Sequence, residues 1–167
     1  CIPLTPFFLS YKAKEYNFWT RFIDLAGEIN EQMPHEVVTK TIWALNLKKK
    51  SIRGSKILIW GVAYKKDVDD ARESPALAIM DLLQNKGAVI LYHDPYIAAL
   101  PPFRKYNFKL KSSRLTKGLL QRIDAAVVVT DHSSIDYSWV VKQAPMIIDT
   151  RNVTKNMKQW KKKIVKA

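Results

Sequence analysis

Four short apolar runs recur through the C-terminal two-thirds of the chain: Lys56–Val62, Val89–His93, Ala125–Thr130 and Met146–Asp149. Runs of this length, apolar without strict alternation, predict strands buried on both faces, as in a parallel sheet. A weaker strand pattern lies near Phe108–Lys111. Helical spacing separates the runs at Pro75–Lys86, Thr116–Arg122 and Ser138–Gln143, with a further candidate at Thr154–Val165. Ser74 and Pro75 suit the N-cap and first position of the first of these helices, and Gly87 suits the left-handed residue that closes it. Strands alternating with helices predict an α/β fold with a Rossmann-like, doubly wound parallel sheet.

Upstream the pattern changes. Phe18, Phe22, Leu25, Ile29, Met33 and Val37, then Val38, Ile42 and Leu45, recur at steps of three and four, which marks one face of a long helix. Pro34 is expected to kink or break it into two stretches. A continuous helix over 18–48 would be roughly 45 Å long at about 1.5 Å per residue. That exceeds what a small domain covers, so the surplus apolar stripe is expected to meet a second copy, giving a homodimer. Residues 1–17 predict a turn into a short helix, and Lys48–Ser55 a basic linker. Three parts follow: a helical dimerisation segment at 1–50, an α/β domain at 51–153 and a basic tail at 154–167.

Composition describes a foldable globular chain, with 47% hydrophobic residues among 167. No apolar run approaches the ~18 residues of a membrane-spanning helix. One cysteine excludes an internal disulfide framework, and a cytoplasmic setting is expected. The chain opens at Cys1 without an initiator methionine and is expected to be a piece of a longer one. Net charge is +13, which favours an anionic partner. The excess gathers in Phe103–Arg122, with seven basic residues, and in Lys155–Lys166, with six lysines; neither segment holds an acidic residue. No helix-turn-helix, zinc-finger or RNA-recognition signature accompanies them. A solvated basic face is therefore expected, with nucleic-acid binding as the lesser alternative.

The stretch Lys56–Pro75 carries the candidate chemistry. A buried strand ends at Gly61, a charged loop follows, and Ser74-Pro75 opens a helix; this is where open α/β sheets hold anionic ligands. Tyr64, Lys65 and Lys66 add an aromatic ring and two ammonium groups, which suits a phosphate-bearing aromatic molecule. Asp67, Asp69 and Asp70 lack the ligand spacing of a calcium loop and are expected to pair with Arg72 or cap backbone; no metal site is expected. His93 and His132 each flank an aspartate at a strand end and are expected to play structural hydrogen-bonding roles.

Taken in order, Cys1-Ile-Pro, Thr20–Asn30, Gly61–Leu77, Tyr92-His-Asp-Pro-Tyr96, Thr130-Asp-His132 and Asp149-Thr-Arg-Asn152 resemble the UDP-glucose/GDP-mannose dehydrogenase family. The resemblance is nearest to its bacterial branch acting on UDP-N-acetylhexosamines, and it spans the chain up to about residue 153. It implies two successive NAD-dependent oxidations, from alcohol to aldehyde to acid, with a cysteine thiolate attacking the aldehyde. Cys1 matches that nucleophile. Tyr64 and Lys65 match contacts to the UDP, Arg151 a further sugar-nucleotide contact, and Arg72 an arginine that reaches the NAD pyrophosphate. Arg21 could touch substrate within a dimer. The family's NAD-binding domain has no counterpart here, and no G-x-G-x-x-G occurs. Thr5 stands where the family has an aspartate, and a hydroxyl cannot do a carboxylate's acid–base work near neutral pH. The chain by itself is thus expected to bind UDP-sugar weakly and to oxidise nothing. The competing readings are a non-catalytic oligomerisation module and a basic nucleic-acid-binding domain.

Overall fold

The structure, a computed structural model, describes residues 4–167. Five strands form one parallel sheet: β1 (Lys56–Trp60), β2 (Val89–His93), β3 (Ala125–Val128), β4 (Ile147–Asp149) and β5 (Ile164–Lys166), in the order β2-β1-β3-β4-β5. The predicted Rossmann-like α/β class is the observed one. Side chains alternate between two apolar layers, as the period of two requires. Ile57 and Ile59 of β1, Val127 of β3 and Ile148 of β4 face one layer; Leu58, Trp60, Val128 and Ile147 face the other.

The first layer is closed by α2 (Arg21–Leu47) and α3 (Pro75–Asn85), the second by α4 (Lys117–Arg122) and α5 (Tyr137–Gln143). The caps of α3 are those expected. Ser74 Oγ accepts from the Ala76 N–H, Pro75 stands first, and Gly87 sits at φ 86°. The Ala88 N–H reaches the Leu83 carbonyl and the Gly87 N–H that of Gln84, which is a Schellman close. Thr116 and Asp136 cap α4 and α5 through their side chains.

Three expectations are corrected. Pro34 does not break the long helix: α2 runs unbroken through 27 residues, about 40 Å. Proline in a helix interior costs roughly 3 kcal/mol. Packing on both sides offsets that cost, with Gly27 pressed against the ring of Phe7 on α1 (Thr5–Lys14) and Val37, Val38, Thr41, Ala44 and Leu45 buried downstream. The tail is not a helix over Thr154–Val165. Lys158–Lys163 form a 3-10 turn, and Ile164–Lys166 become β5, paired in parallel with β4. Like charges on successive turns oppose an α-helix there, and the β-branched pair Ile164-Val165 covers an edge that β4 would otherwise leave bare. Around Phe108–Lys111 no strand forms, only a single antiparallel bridge between Ala99 and Lys111.

Candidate functional site

All five strands point their carboxyl ends the same way, so the loops after β1, β3 and β4 gather along one edge of the sheet. From β1 the chain crosses to β2 on one side and then returns to β3 on the other. The crevice at that reversal, between the loops after β1 and β3, is where open parallel sheets receive ligands.

The loop after β1 leaves the sheet at Gly61, held at φ 79°. A Cβ at this position would lie 2.3 Å from the Thr130 carbonyl oxygen, so only glycine allows the two loops to touch. Hydrogen bonds then fasten the loop at both ends. The Gly61 N–H donates to the His93 carbonyl (2.9 Å), and the Val62 and Ala63 N–H groups donate to Asp94 Oδ2 (2.7 and 3.0 Å). Thr130 Oγ1 donates to the Ala63 carbonyl (2.6 Å). At the far end the Asp67 N–H donates to His132 Nδ1 (3.0 Å), and the Asp67 carboxylate accepts from the Ser133 N–H and hydroxyl. Those two Ser133 bonds hold the exposed Asp67 carboxyl below the usual carboxylate range. Asp67 and Glu73 both take left-handed backbone angles, a strain that such tightly held loops sustain.

Tyr64, Lys65 and Lys66 stand between these fastenings. Tyr64 is half-buried and its N–H donates to the Asp70 carbonyl (2.7 Å); Lys65 is exposed, its Nζ 5.4 Å from the Tyr64 ring centroid. Among the described residues, the N–H groups of Lys65 and Lys66 donate to no protein acceptor. The crest of the loop thus presents two ammonium groups, two unclaimed amides and a phenol ring.

Arg151 lies on the loop after β4, two strands from β1 and so about 10 Å along the edge. Its Nε donates to Asp131 Oδ1 (3.0 Å) on the loop after β3. Arg72 lies at the other end of the β1–α3 loop. It is exposed and forks onto Asp70, which brings that carboxyl down to about 2. Arg21 opens α2, in the half of that helix that packs on α1, and shares no hydrogen bond or ion pair with the edge loops among the described residues. Tyr64, Lys65 and Arg151 therefore share one edge, while Arg21 belongs to another part of the fold. Cys1 lies outside the described residues. Among those residues no cluster of three potential metal ligands occurs, and no helix is long and apolar enough to cross a membrane.

Asp94 shapes this edge without facing a ligand, and its role escaped the sequence reading. Asp94 accepts from four backbone N–H groups, those of Val62, Ala63, Tyr96 and Ile97. The Tyr96 and Ile97 half of that set was legible, because Asp-Pro after a strand marks an Asx turn. The Val62 and Ala63 half was not, since the partners stand some thirty residues earlier. His132 is buried with both ring nitrogens engaged, in keeping with the structural role expected of it.

Residues 58–156 match the UDP binding domain of the UDP-glucose/GDP-mannose dehydrogenase family. A UDP-N-acetyl-D-mannosamine dehydrogenase of Methanococcus vannielii is 30% identical over 170 residues, which cover 97% of this chain and 36% of that protein. Its counterpart in Campylobacter jejuni is 38% identical over 132 residues, 77% of this chain and 29% of that protein. The solved structure of a UDP-D-ManNAc dehydrogenase from Pyrococcus horikoshii superposes with a TM-score of 0.76 at 28% identity, over 93% of this chain and 35% of that one. The chain spans about a third of the length of these relatives. The matched region contains the whole edge from Gly61 to Arg151, and the chain belongs to the UDP-glucose/GDP-mannose dehydrogenase family through its UDP binding domain.

Proposed function

We propose that the edge of the sheet at Tyr64, Lys65 and Arg151 binds the UDP moiety of a nucleotide sugar. The observation that carries this reading is the crest of the β1–α3 loop, where the exposed Lys65 and Lys66 stand between two fastened ends and, among the described residues, their amides donate to no protein acceptor. A diphosphate needs cations and N–H donors, and a loop already held in place loses little entropy on binding. The half-buried Tyr64 ring offers a flat apolar face beside those charges. Arg151 turns its guanidinium toward Asp131, which sets its plane for a further contact to the ligand.

For the whole protein we propose the NAD-dependent oxidation of a UDP-N-acetylhexosamine to its uronic acid, as the names of the relatives suggest. NAD would supply the hydride acceptor. This chain's contribution to holding it would be Arg72, whose Nε and Nη2 engage Asp70 and whose Nη1 remains available to a pyrophosphate. Cys1 would be the nucleophile. A contact with a second copy is proposed for the outer face of α2, where Phe22, Leu25, Ile29 and Met33 are exposed at helical spacing; Phe22 is 88% exposed.

Calorimetry with UDP tests the site. Lys65→Ala, with the fold intact by circular dichroism, is expected to weaken binding about tenfold, roughly 1.4 kcal/mol. Unchanged affinity in that variant would remove Lys65 from the site.

A further inference from the structure

His132 follows β3 and its side chain is 0% exposed. Its two ring nitrogens face partners of fixed character. Nδ1 lies 3.0 Å from the Asp67 backbone nitrogen, which can only donate, so Nδ1 is the bare, accepting nitrogen. Nε2 lies 3.0 Å from Asp94 Oδ2 and carries the hydrogen toward it. The same Asp94 oxygen accepts from Val62 and Ala63. One imidazole therefore ties the outgoing end of the β1 loop, through Asp94, to its far end at Asp67. Tyr64, Lys65 and Lys66 lie between the two ties. The ring of Tyr96 closes over the imidazole at 5.0 Å between centroids, and its hydroxyl lies 3.4 Å from Asp67 Oδ1.

Neither nitrogen is left to exchange a proton with a ligand, so the imidazole is no acid or base for the reaction. What it does is span. Without it, the Asp67 N–H and one lone pair of a fully buried carboxylate would lose their partner together, and the far end of the crest would be held only through the exposed Asp67 carboxylate by Ser133 and Tyr96.

We propose that His132 is the positioning residue of the nucleotide-binding loop. As the Nε2–H tautomer it sets the distance between Asp94 and Asp67, and through them the place at which Tyr64 and Lys65 meet a nucleoside diphosphate. The identity of the ligand rests on the function proposed above; the bracing of the loop stands on the geometry alone.

Two measurements on the 167-residue chain test this, and the first needs no substitution. Two-dimensional nitrogen–proton spectra of the wild-type imidazole are expected to show Nδ1 bare and Nε2 protonated at neutral pH. The opposite tautomer would overturn the proposal. The second uses two near-isosteres that divide the work of the ring. His132→Asn keeps an acceptor near the Nδ1 position, while His132→Gln keeps a donor near the Nε2 position. Amide exchange at Asp67 is expected to quicken at least about tenfold in His132→Gln and much less in His132→Asn. UDP affinity is expected to fall about tenfold in His132→Gln, less than additively when combined with Lys65→Ala. Faster exchange spread evenly over β1 and β3, or an Asp67 amide unchanged in His132→Gln, would make His132 an ordinary core residue and overturn the proposal. Should wild-type chain fail to bind UDP while the exchange pattern holds, the proposed ligand falls and the bracing role stands.

Discussion

Asp149 ends β4 with a carboxylate that serves five donors: the N–H groups of Arg151, Val153 and Thr154, the Thr154 hydroxyl and the Lys166 ammonium. Burial pushes its carboxyl up, but the Lys166 ammonium and the Thr154 and Arg151 donors outweigh that and hold it below the ordinary value. A carboxyl whose acidity is strengthened by folding stabilises the native state fully above its unfolded value of about 3.9 and loses that contribution as the pH falls through the folded value. Asp149→Asn is therefore expected to cost about 2 kcal/mol at neutral pH, through donors left without an acceptor. Urea midpoints compared from pH 7 downward should converge with those of the wild type in acid, below about pH 4. A constant difference at every pH would assign the cost to packing instead. The same carboxylate shapes the turn that carries Arg151. The Asp149-Thr-Arg stretch was visible in the sequence as a motif, and so was Asp94-Pro-Tyr. Neither stretch revealed which group would face ligand and which would hold backbone, because the deciding donors, Lys166 for one and Val62 with Ala63 for the other, come from other elements.

At the scale of elements, α2 has two halves with different fates. Its C-terminal half is buried by the sheet and α3, through Val37, Val38, Ala44 and Leu45. Its N-terminal half packs on α1 with one face, where Thr20 Oγ1 donates to Ser10 Oγ, and leaves Phe22, Leu25, Ile29 and Met33 exposed on the other. These four lie within roughly three helical turns, so together they form one apolar strip rather than scattered contacts. Phe22→Glu with Ile29→Glu is expected to convert a dimer into monomer by light scattering, leaving the far-ultraviolet dichroism of the α/β domain unchanged. A wild-type chain already monomeric at high micromolar concentration would refute the proposed self-contact. The strip itself was legible from spacing. The continuity of the helix through Pro34 was not, because a local rule about proline met packing on both flanks that outweighed it. The last strand escaped notice for a related reason, since three residues carry little pattern of their own until β4 offers them an edge.

For the molecule as a whole, the proposed site is a sheet edge with its cations Lys65, Lys66 and Arg151 exposed. A cavity of about 380 Å³ lined by Leu4, Phe7, Phe8 and Tyr11, and another of about 440 Å³ beside β2, lie away from it. An edge of this kind suits a nucleotide held through charge, while Thr5 stands where the resemblance calls for an acid–base aspartate. The chain alone is thus expected to give no NAD reduction with UDP-N-acetylhexosamines when followed by absorbance, even where calorimetry detects UDP binding; measurable turnover would disprove this. By itself, the sequence determined the features whose causes are local. The four buried strands, the Ser74-Pro75 start and Gly87 end of α3, and the charged loop at Tyr64 and Lys65 all follow from side chains and backbone preferences within a few residues. Tertiary structure alone decided that α2 would pass through Pro34, that the lysine-rich tail would close the sheet, that Asp94 and Asp149 would hold the loops, and which partners His132 would join. Each of those outcomes depends on groups distant in sequence; for His132, Asp94 and Asp149 these come within about 3 Å in a dry interior, where an unpartnered donor or acceptor costs more than a local preference can offset.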